Sequence, residues 1–401
     1  MSINPKNSFN GKMALFIIIA VFFFAFFGMM DVFHVNLMEQ MGIPVIKLCF
    51  ADLRVLTSGC DALRAGDDPL LLNPLDPWKR PTNYPRIWLV LAALGVHQTH
   101  TILIGVLLVV CFYVSIFKII PSINGFLDLL IYSLIILSPA CMLAVERGNV
   151  DMAVFIILSF ALFIPERNKL FFYFSLLLAS LLKFFPVFAF LAAFKESPKT
   201  FIKVGVVCSS LFLCYLLFTW KDFLMIDKAT PRMMYSSYGN LVLMCICSRL
   251  IFSTRLWRWG GFLLTALVSL GAYSLARFKG KDMRPSLSHI TSFRIGAGIY
   301  VGTFLLGNNF VYRLIFLIFT IPQFLDWARN ADGELKQLAQ VSLLLMIIIF
   351  WSLLWTQYVP FLNWGGISVL EEVFTWSLFA ILIAVSFSSL PHWAKRGLKL
   401  S

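Results

Sequence analysis

Charged residues are scarce in this chain: only 13% of its 401 residues are Asp, Glu, Lys or Arg, about half the 25% usual in soluble domains. That composition excludes an ordinary water-soluble fold. Cysteine is sparse too. Of the eight cysteines, Cys111, Cys141, Cys208, Cys214, Cys245 and Cys247 lie in or beside apolar segments, where cysteine reads as a small hydrophobe. Cys245 and Cys247 have no His or carboxylate companions at ligand spacing, so no metal site is expected. Cys49 and Cys60 share a polar loop and are the candidates for a disulfide. The sequence has no Gly-rich phosphate loop and no dinucleotide fingerprint, which excludes a soluble nucleotide-binding unit. The net charge of +13 is spread over short loops and forms no basic groove interleaved with aromatics, so no nucleic-acid partner is expected.

What the chain has in excess is apolar sequence: 60% of residues are hydrophobic and the mean hydropathy is +0.85. Runs approaching the roughly 20 residues that cross a bilayer fall at 12–33, 101–120, 126–145, 150–164, 201–219, 256–277, 290–306, 310–327, 338–359 and 369–390. Backbone polar groups in lipid must be satisfied internally, so these are expected to be helices of one integral membrane domain covering 1–401. The first run is too long for a signal peptide and lacks a small-residue cleavage pattern, so it reads as an anchor. Short loops rich in Lys and Arg all fall on one side if the spans alternate, which makes that side cytoplasmic. Segment 170–194 breaks the alternation, because it has basic loops at both ends and carries Lys183 and Pro186 at its centre. A re-entrant hairpin of two half-helices restores the parity. Ten spans then leave both termini cytoplasmic in a multi-pass plasma-membrane protein, and loop 31–86 extracytoplasmic.

Three polar islands stand out from this background. In loop 31–86, Leu53, Leu56, Cys60 and Leu63 repeat at helical spacing behind Asp52, predicting an amphipathic surface helix that ends near Gly66. Asp52 sits at the start of that helix, where a carboxylate can also merely cap it. The second island is the dense turn from Glu146 through Arg147, Gly148 and Asn149 to Asp151. The third is Lys183, an ionisable group inside an apolar segment, which in a membrane protein usually faces a cavity or partner. His97 and His100 lie one turn apart but have no third ligand, so a structural role is expected.

In their order these residues resemble a family. Asp52, then Arg64-Ala65-Gly66-Asp67-Asp68-Pro69, Asn83-Tyr84-Pro85, Arg147-Gly148-Asn149 and Lys183-Phe184-Phe185-Pro186 look like the polyprenyl-phosphate-sugar-dependent glycosyltransferases of family 87, in the glycosyltransferase C superfamily. The resemblance covers roughly the first half of the chain; further on it rests on hydropathy and on Tyr312-Arg313 after the Asn308-Asn309 turn. Departures are Leu70 for the family's tyrosine after its Gly-Asp-Pro turn, Arg86 for its second proline after Tyr-Pro, and Gly148 for its glutamine. The resemblance implies an all-α polytopic fold of the glycosyltransferase C type, with surface helices and a re-entrant hairpin. It also implies inverting transfer of a sugar, mannose by default, from a polyprenyl-phosphate donor to a lipid or glycan acceptor among membrane lipids, with no cofactor.

Inverting transfer needs a base for the acceptor proton, for which Asp52 is preferred and Asp61 is the alternative. It also needs cations for the departing phosphate. Lys183, Arg147, Arg232 and Arg249 are the candidates, the last two from the one extracytoplasmic loop of clearly basic balance. Asn149, Asp151 and Tyr84 are candidates for the sugar hydroxyls. The main rival is a transporter or flippase of a lipid-linked solute, since broken helices with buried ionisable groups also mark transporters. An assembly scaffold would leave Lys183 and the polar turn unexplained. If the enzyme reading holds, Asp52, Arg147 and Lys183 converge on one extracytoplasmic-facing cavity with a lateral opening to lipid.

Overall fold

The computed structural model describes residues 5–33, 37–232, 236–243, 254–279, 287–359, 363–364 and 367–397. The chain is all-α in character, about 78% helical. Its main helices are α1 (Pro5–Phe33), α2 (Ala51–Arg64), α3 (Thr101–Ile119), α4 (Phe126–Ile136), α5 (Pro139–Arg147), α6 (Asp151–Leu162) and α7 (Lys169–Lys183). They continue with α8 (Pro198–Phe218), α9 (Trp220–Ala229), α10 (Thr254–Lys279), α11 (Ile290–Leu306), α12 (Ile321–Asn330), α13 (Gly333–Phe350) and α14 (Val369–Ser388). Two long 3-10 helices, Phe185–Lys195 and Val311–Thr320, run on from α7 and into α12. The described strands are two-residue pairs, including Ser237–Tyr238 antiparallel to Asn309–Phe310.

Among the described residues six helices are long and apolar enough to cross a membrane, or seven if α4 and α5, bent by 42°, count as one. The sequence predicts ten spans, and two of those runs fall on helices shorter than a bilayer crossing. α6 has 12 residues and α11 has 17, which at 1.5 Å per residue gives about 18 and 25 Å against a hydrocarbon core of about 30 Å.

The chain divides into two compact units. The first comprises Met1–Val45, Phe117–Leu143 and Met233–Ser401. Its centre is the stretch Val311–Asn330, 83% of which is buried, packed against α11 and α13. Aromatic contacts hold α11 on two sides: Phe304 stacks on Phe379 of α14 at 4.3 Å and Phe293 meets Trp327 of α12 edge-on at 5.1 Å. Arg294, buried in α11, donates to the Ser389 carbonyl at 2.7 Å, so its charge ends on a helix C-terminus.

The second unit comprises Ile46–Ile116 and Ala144–Arg232, and all three polar islands fall in it. α6 and α7 pack side by side, and α7 folds back on Phe185–Lys195 through Phe184. Phe184 has φ 55 and ψ −56, a conformation that costs a non-glycine residue about 1–3 kcal/mol and persists only where packing imposes it. Its ring lies against Phe223 at 5.5 Å. The indole of Trp88 donates to the Leu182 carbonyl at 2.9 Å, satisfying a group that the helix end leaves open. At the other end of the hairpin, Glu196 ties the two arms together, accepting from Lys169 and from the Tyr173 hydroxyl. The break predicted near Lys183 is therefore present, one residue after it.

Candidate functional site

The amphipathic helix predicted in the first polar loop is α2. Leu53, Leu56 and Cys60 are buried, Leu63 is exposed near the end, and Gly66 closes the helix at φ 97. The residue before it, Phe50, turns the chain in at φ 59 and ψ 46 and makes no side-chain cap. Asp52 is the second residue of α2 and does not cap it either. Its Oδ2 instead accepts a 2.6 Å hydrogen bond from the Asn149 amide.

Glu146 and Gly148 dock this helix start onto the second island. The Glu146 carboxylate accepts from the Ile46 N–H at 2.9 Å and its carbonyl accepts from the Phe50 N–H at 3.1 Å, so one residue holds the segment leading into α2 at two points. Gly148 sits at φ 57, and a Cβ there would lie 2.8 Å from the Phe50 Cβ. Only glycine meets both the backbone conformation and the close approach. This explains the Gly148 departure noted above, because the turn must let Phe50 pass. Asn149 is engaged on both sides: its amide nitrogen donates to Asp52, and its oxygen accepts from the Asp151 N–H at 2.9 Å.

The third island joins through Asp151. Its fully buried carboxylate pairs with the Lys183 ammonium at 2.8 Å, and that ammonium also lies 4.7 Å from the centre of the Tyr84 ring. Arg147 pairs with Glu146 at 3.0 Å. Asp52, Arg147, Asn149, Asp151, Lys183 and Tyr84, separated by up to 131 positions in the sequence, thus form one network. Burial pushes the Asp52 carboxyl above the ordinary carboxylate value, against the opposing pull of the Arg147 charge, the Asn149 amide, the Lys183 ammonium and Arg80. The result is a carboxylate of raised basicity whose charged form still has three cations around it.

Other predicted residues lie elsewhere. Asp61 is nine residues beyond Asp52 on the same helix, about 13 Å along its axis and half a turn around it. It accepts from the Gln98 N–H at 2.8 Å, from Arg64 at 2.6 Å and pairs with His97 at 2.7 Å. Burial pushes it up, but these three partners outweigh burial and hold it below the ordinary carboxylate value. Asp61 and His97 therefore pin α2 to the loop leading into α3, and His97 has the structural role expected of it.

Arg232 is exposed and paired with Asp227 at 2.6 Å, so it is not among the cations acting on Asp52. Arg249 lies outside the described residues. Cys49 and Cys60 are free thiols, one exposed and one buried, so the disulfide is not formed. Asn149, Asp151 and Tyr84, expected to face a sugar, are each at most 3% exposed. The Asn149 amide serves Asp52, and the Asp151 carboxylate and the Tyr84 ring serve Lys183, which makes them supports of the site more than its lining.

Two participants were not anticipated. Arg80 donates to the Ala51 carbonyl at 2.7 Å while its fork grips Asp76, whose oxygens also accept the Trp78 and Arg80 N–H groups. Arg86, standing where the resembled family has proline, forms a two-bond pair with Asp222 on α9 at 2.9 and 3.0 Å and reaches Asp68 at 3.0 Å. It clamps α9 over the loop that carries the Asp67-Asp68-Pro69 motif. The clue to Arg80 was the basic pair Lys79-Arg80 inside an otherwise acidic loop.

Compared with known proteins, the chain matches no family model, no curated protein and no solved structure.

Proposed function

We propose that this chain is a membrane glycosyltransferase that moves a sugar, with mannose the default, from a polyprenyl-phosphate carrier to a lipid or glycan acceptor on the extracytoplasmic side. It works with inversion, with Asp52 as general base, and on a glycosyltransferase C-type scaffold resembling family 87, with both termini cytoplasmic and segment 170–194 re-entrant. One observation carries the proposal: three polar islands far apart in an apolar sequence come together around Asp52. A membrane anchor or a scaffold has no use for such an arrangement.

In the reaction, Asp52 takes the proton of the acceptor hydroxyl as its oxygen attacks the anomeric carbon, and the glycosidic electron pair leaves with the polyprenyl phosphate. Burial raises the basicity of Asp52 towards neutral pH, where a general base works best. Asp61, held low by Arg64, His97 and the Gln98 N–H, is a poorer base on the far face of α2. Arg147 and Lys183 already face Glu146 and Asp151. As charged donors held in place by these carboxylates, they stabilise the leaving phosphate more as the bond breaks and its charge grows. The observation favouring transport is Lys183 at a helix break.

The test is transfer of radiolabelled sugar from polyprenyl-phosphate donors in membranes holding equal amounts of wild type, Asp52→Asn and Asp61→Asn. Loss in Asp52→Asn alone supports the assignment. No transfer from any such donor by the wild type refutes it and favours the transporter.

A further inference from the structure

Residues 70–80 form an exposed apolar ridge on a firmly held backbone. Leu71, Leu72, Leu75 and Trp78 are 62%, 56%, 44% and 38% exposed, although none belongs to a membrane-spanning helix. This is not a loose loop. The amide of Asn73, fully buried, donates to the Val55 carbonyl at 3.1 Å and to the Ser58 hydroxyl at 3.0 Å. Asp76, 2% exposed, fixes the turn by accepting the Trp78 and Arg80 N–H groups at 3.0 Å. A stretch anchored at both Asn73 and Asp76 could have turned its leucines inward, and it presents them outward instead. An exposed apolar patch of this kind marks a surface meant for an apolar partner.

The partner's polar end is set by Arg80. Its guanidinium lies over the Trp78 ring at 4.4 Å, so the cation is stacked on the last residue of the ridge. Nε and Nη2 are used on Asp76 and Ala51, whereas Nη1 has no protein acceptor among the described residues, and the side chain is 32% exposed. Arg147 and Lys183 are by contrast nearly buried, 15% and 12% exposed. Arg80 is thus the cation of the Asp52 network that a ligand can reach from outside, with Lys79 beside it.

We infer that residues 70–80 are the docking surface for a prenyl-chain phosphate, Leu71, Leu72, Leu75 and Trp78 receiving the chain and Arg80 the phosphate, which is thereby delivered beside Asp52. This rests on the reading that the site works on a lipid-borne phosphate. An apolar ridge ending in a stacked guanidinium complements an amphiphile with one anionic head, and arginine's planar fork suits a phosphate.

The test uses the full chain in phosphatidylcholine nanodiscs, with radiolabelled farnesyl phosphate as probe and farnesol as its phosphate-free control. The wild type should prefer the phosphate. Arg80→Ala should lower that preference about tenfold or more, the loss expected for a charged hydrogen bond, with Arg80→Lys recovering part of it. Because Arg80→Ala strands Asp76, Arg80→Ala combined with Asp76→Asn is measured beside it and should behave alike. Leu72→Glu with Leu75→Glu should weaken both probes and leave the preference unchanged. A wild-type preference retained in both Arg80→Ala variants, or farnesyl phosphate bound normally by the leucine variant, overturns the docking surface while the function stands. A wild type that binds the two probes equally overturns the function and the docking surface together.

Discussion

Asn149→Ala isolates the hydrogen bond that sets the basicity of Asp52. In the structure the Asn149 amide donates to Asp52 Oδ2 at 2.6 Å, a bond that favours the ionised carboxylate and so lowers its pKa. A hydrogen bond to a charged group contributes about 1.5–3 kcal/mol, and one pKa unit corresponds to about 1.4 kcal/mol. Removing the bond therefore raises the Asp52 pKa by about one to two units. The base must be ionised to accept a proton, so the acid limb of kcat/KM moves to higher pH by that amount while the rate at high pH largely recovers. Asn149→Asp provides a control, because it keeps the oxygen that accepts the Asp151 N–H and replaces the donor by a like charge, and its limb should move at least as far. The assay is sugar transfer over a pH series at subsaturating donor. An acid limb that stays in place or moves to lower pH in both variants refutes the assignment of Asp52 as base.

Three further outcomes are expected. Lys183→Met leaves the fully buried Asp151 without its ammonium and should cost about 3–5 kcal/mol, read as a lower unfolding temperature in detergent; adding Asp151→Asn should restore most of the stability and none of the transfer. Asp61, whose folded pKa is depressed, contributes stability that is present above its unfolded value near 4 and lost as pH falls through the lower folded value. Acid unfolding should therefore be shallower over that window in Asp61→Asn, with transfer retained. Gly148→Ala forces a Cβ onto Phe50 and a side chain onto φ 57, so thermal stability should fall by about 1–3 kcal/mol and transfer with it, while Asn149 and Asp52 keep their identities.

Much of this site was legible because polarity is so rare in the chain. In a sequence this apolar each cluster of charges stands out, and the structure brings those at Asp52, at Glu146 to Asp151 and at Lys183 together. The stop at Gly66 followed from glycine's freedom at positive φ, and the buried positions Leu53, Leu56 and Cys60 of α2 from helical spacing. The choice between Asp52 and Asp61 stayed open in the sequence, because the partners that set Asp61 apart, Gln98 and His97, come from the loop before α3. What composition does not encode is where an apolar run breaks. Phe184 gives no sign that it will adopt φ 55, and the bend between α4 and α5 interrupts a continuous hydrophobic run. Nor does sequence order disclose that Asp151, at the start of α6, partners Lys183, at the end of α7, or that Glu146 takes the charge of its own neighbour Arg147.

That self-pairing has a kinetic consequence. Around the site four carboxylates, Asp52, Asp76, Glu146 and Asp151, face three cations, Arg80, Arg147 and Lys183, so with all groups ionised the network carries one negative charge. A sugar linked to a polyprenyl phosphate brings a further negative charge into partly buried surroundings, where like charges act strongly on each other. Donor binding should therefore raise the Asp52 pKa above its value in the free protein. The pH profile of kcat/KM reports the free protein and that of kcat the complex, so the acid limb of kcat should lie at higher pH than that of kcat/KM. Neutralising one more carboxylate, as in Asp76→Asn, should lower both limbs together and preserve their separation. A kcat limb at or below that of kcat/KM would mean that the phosphate's charge is absorbed by cations freed from their carboxylates on binding, and that Asp52 does not sense the donor.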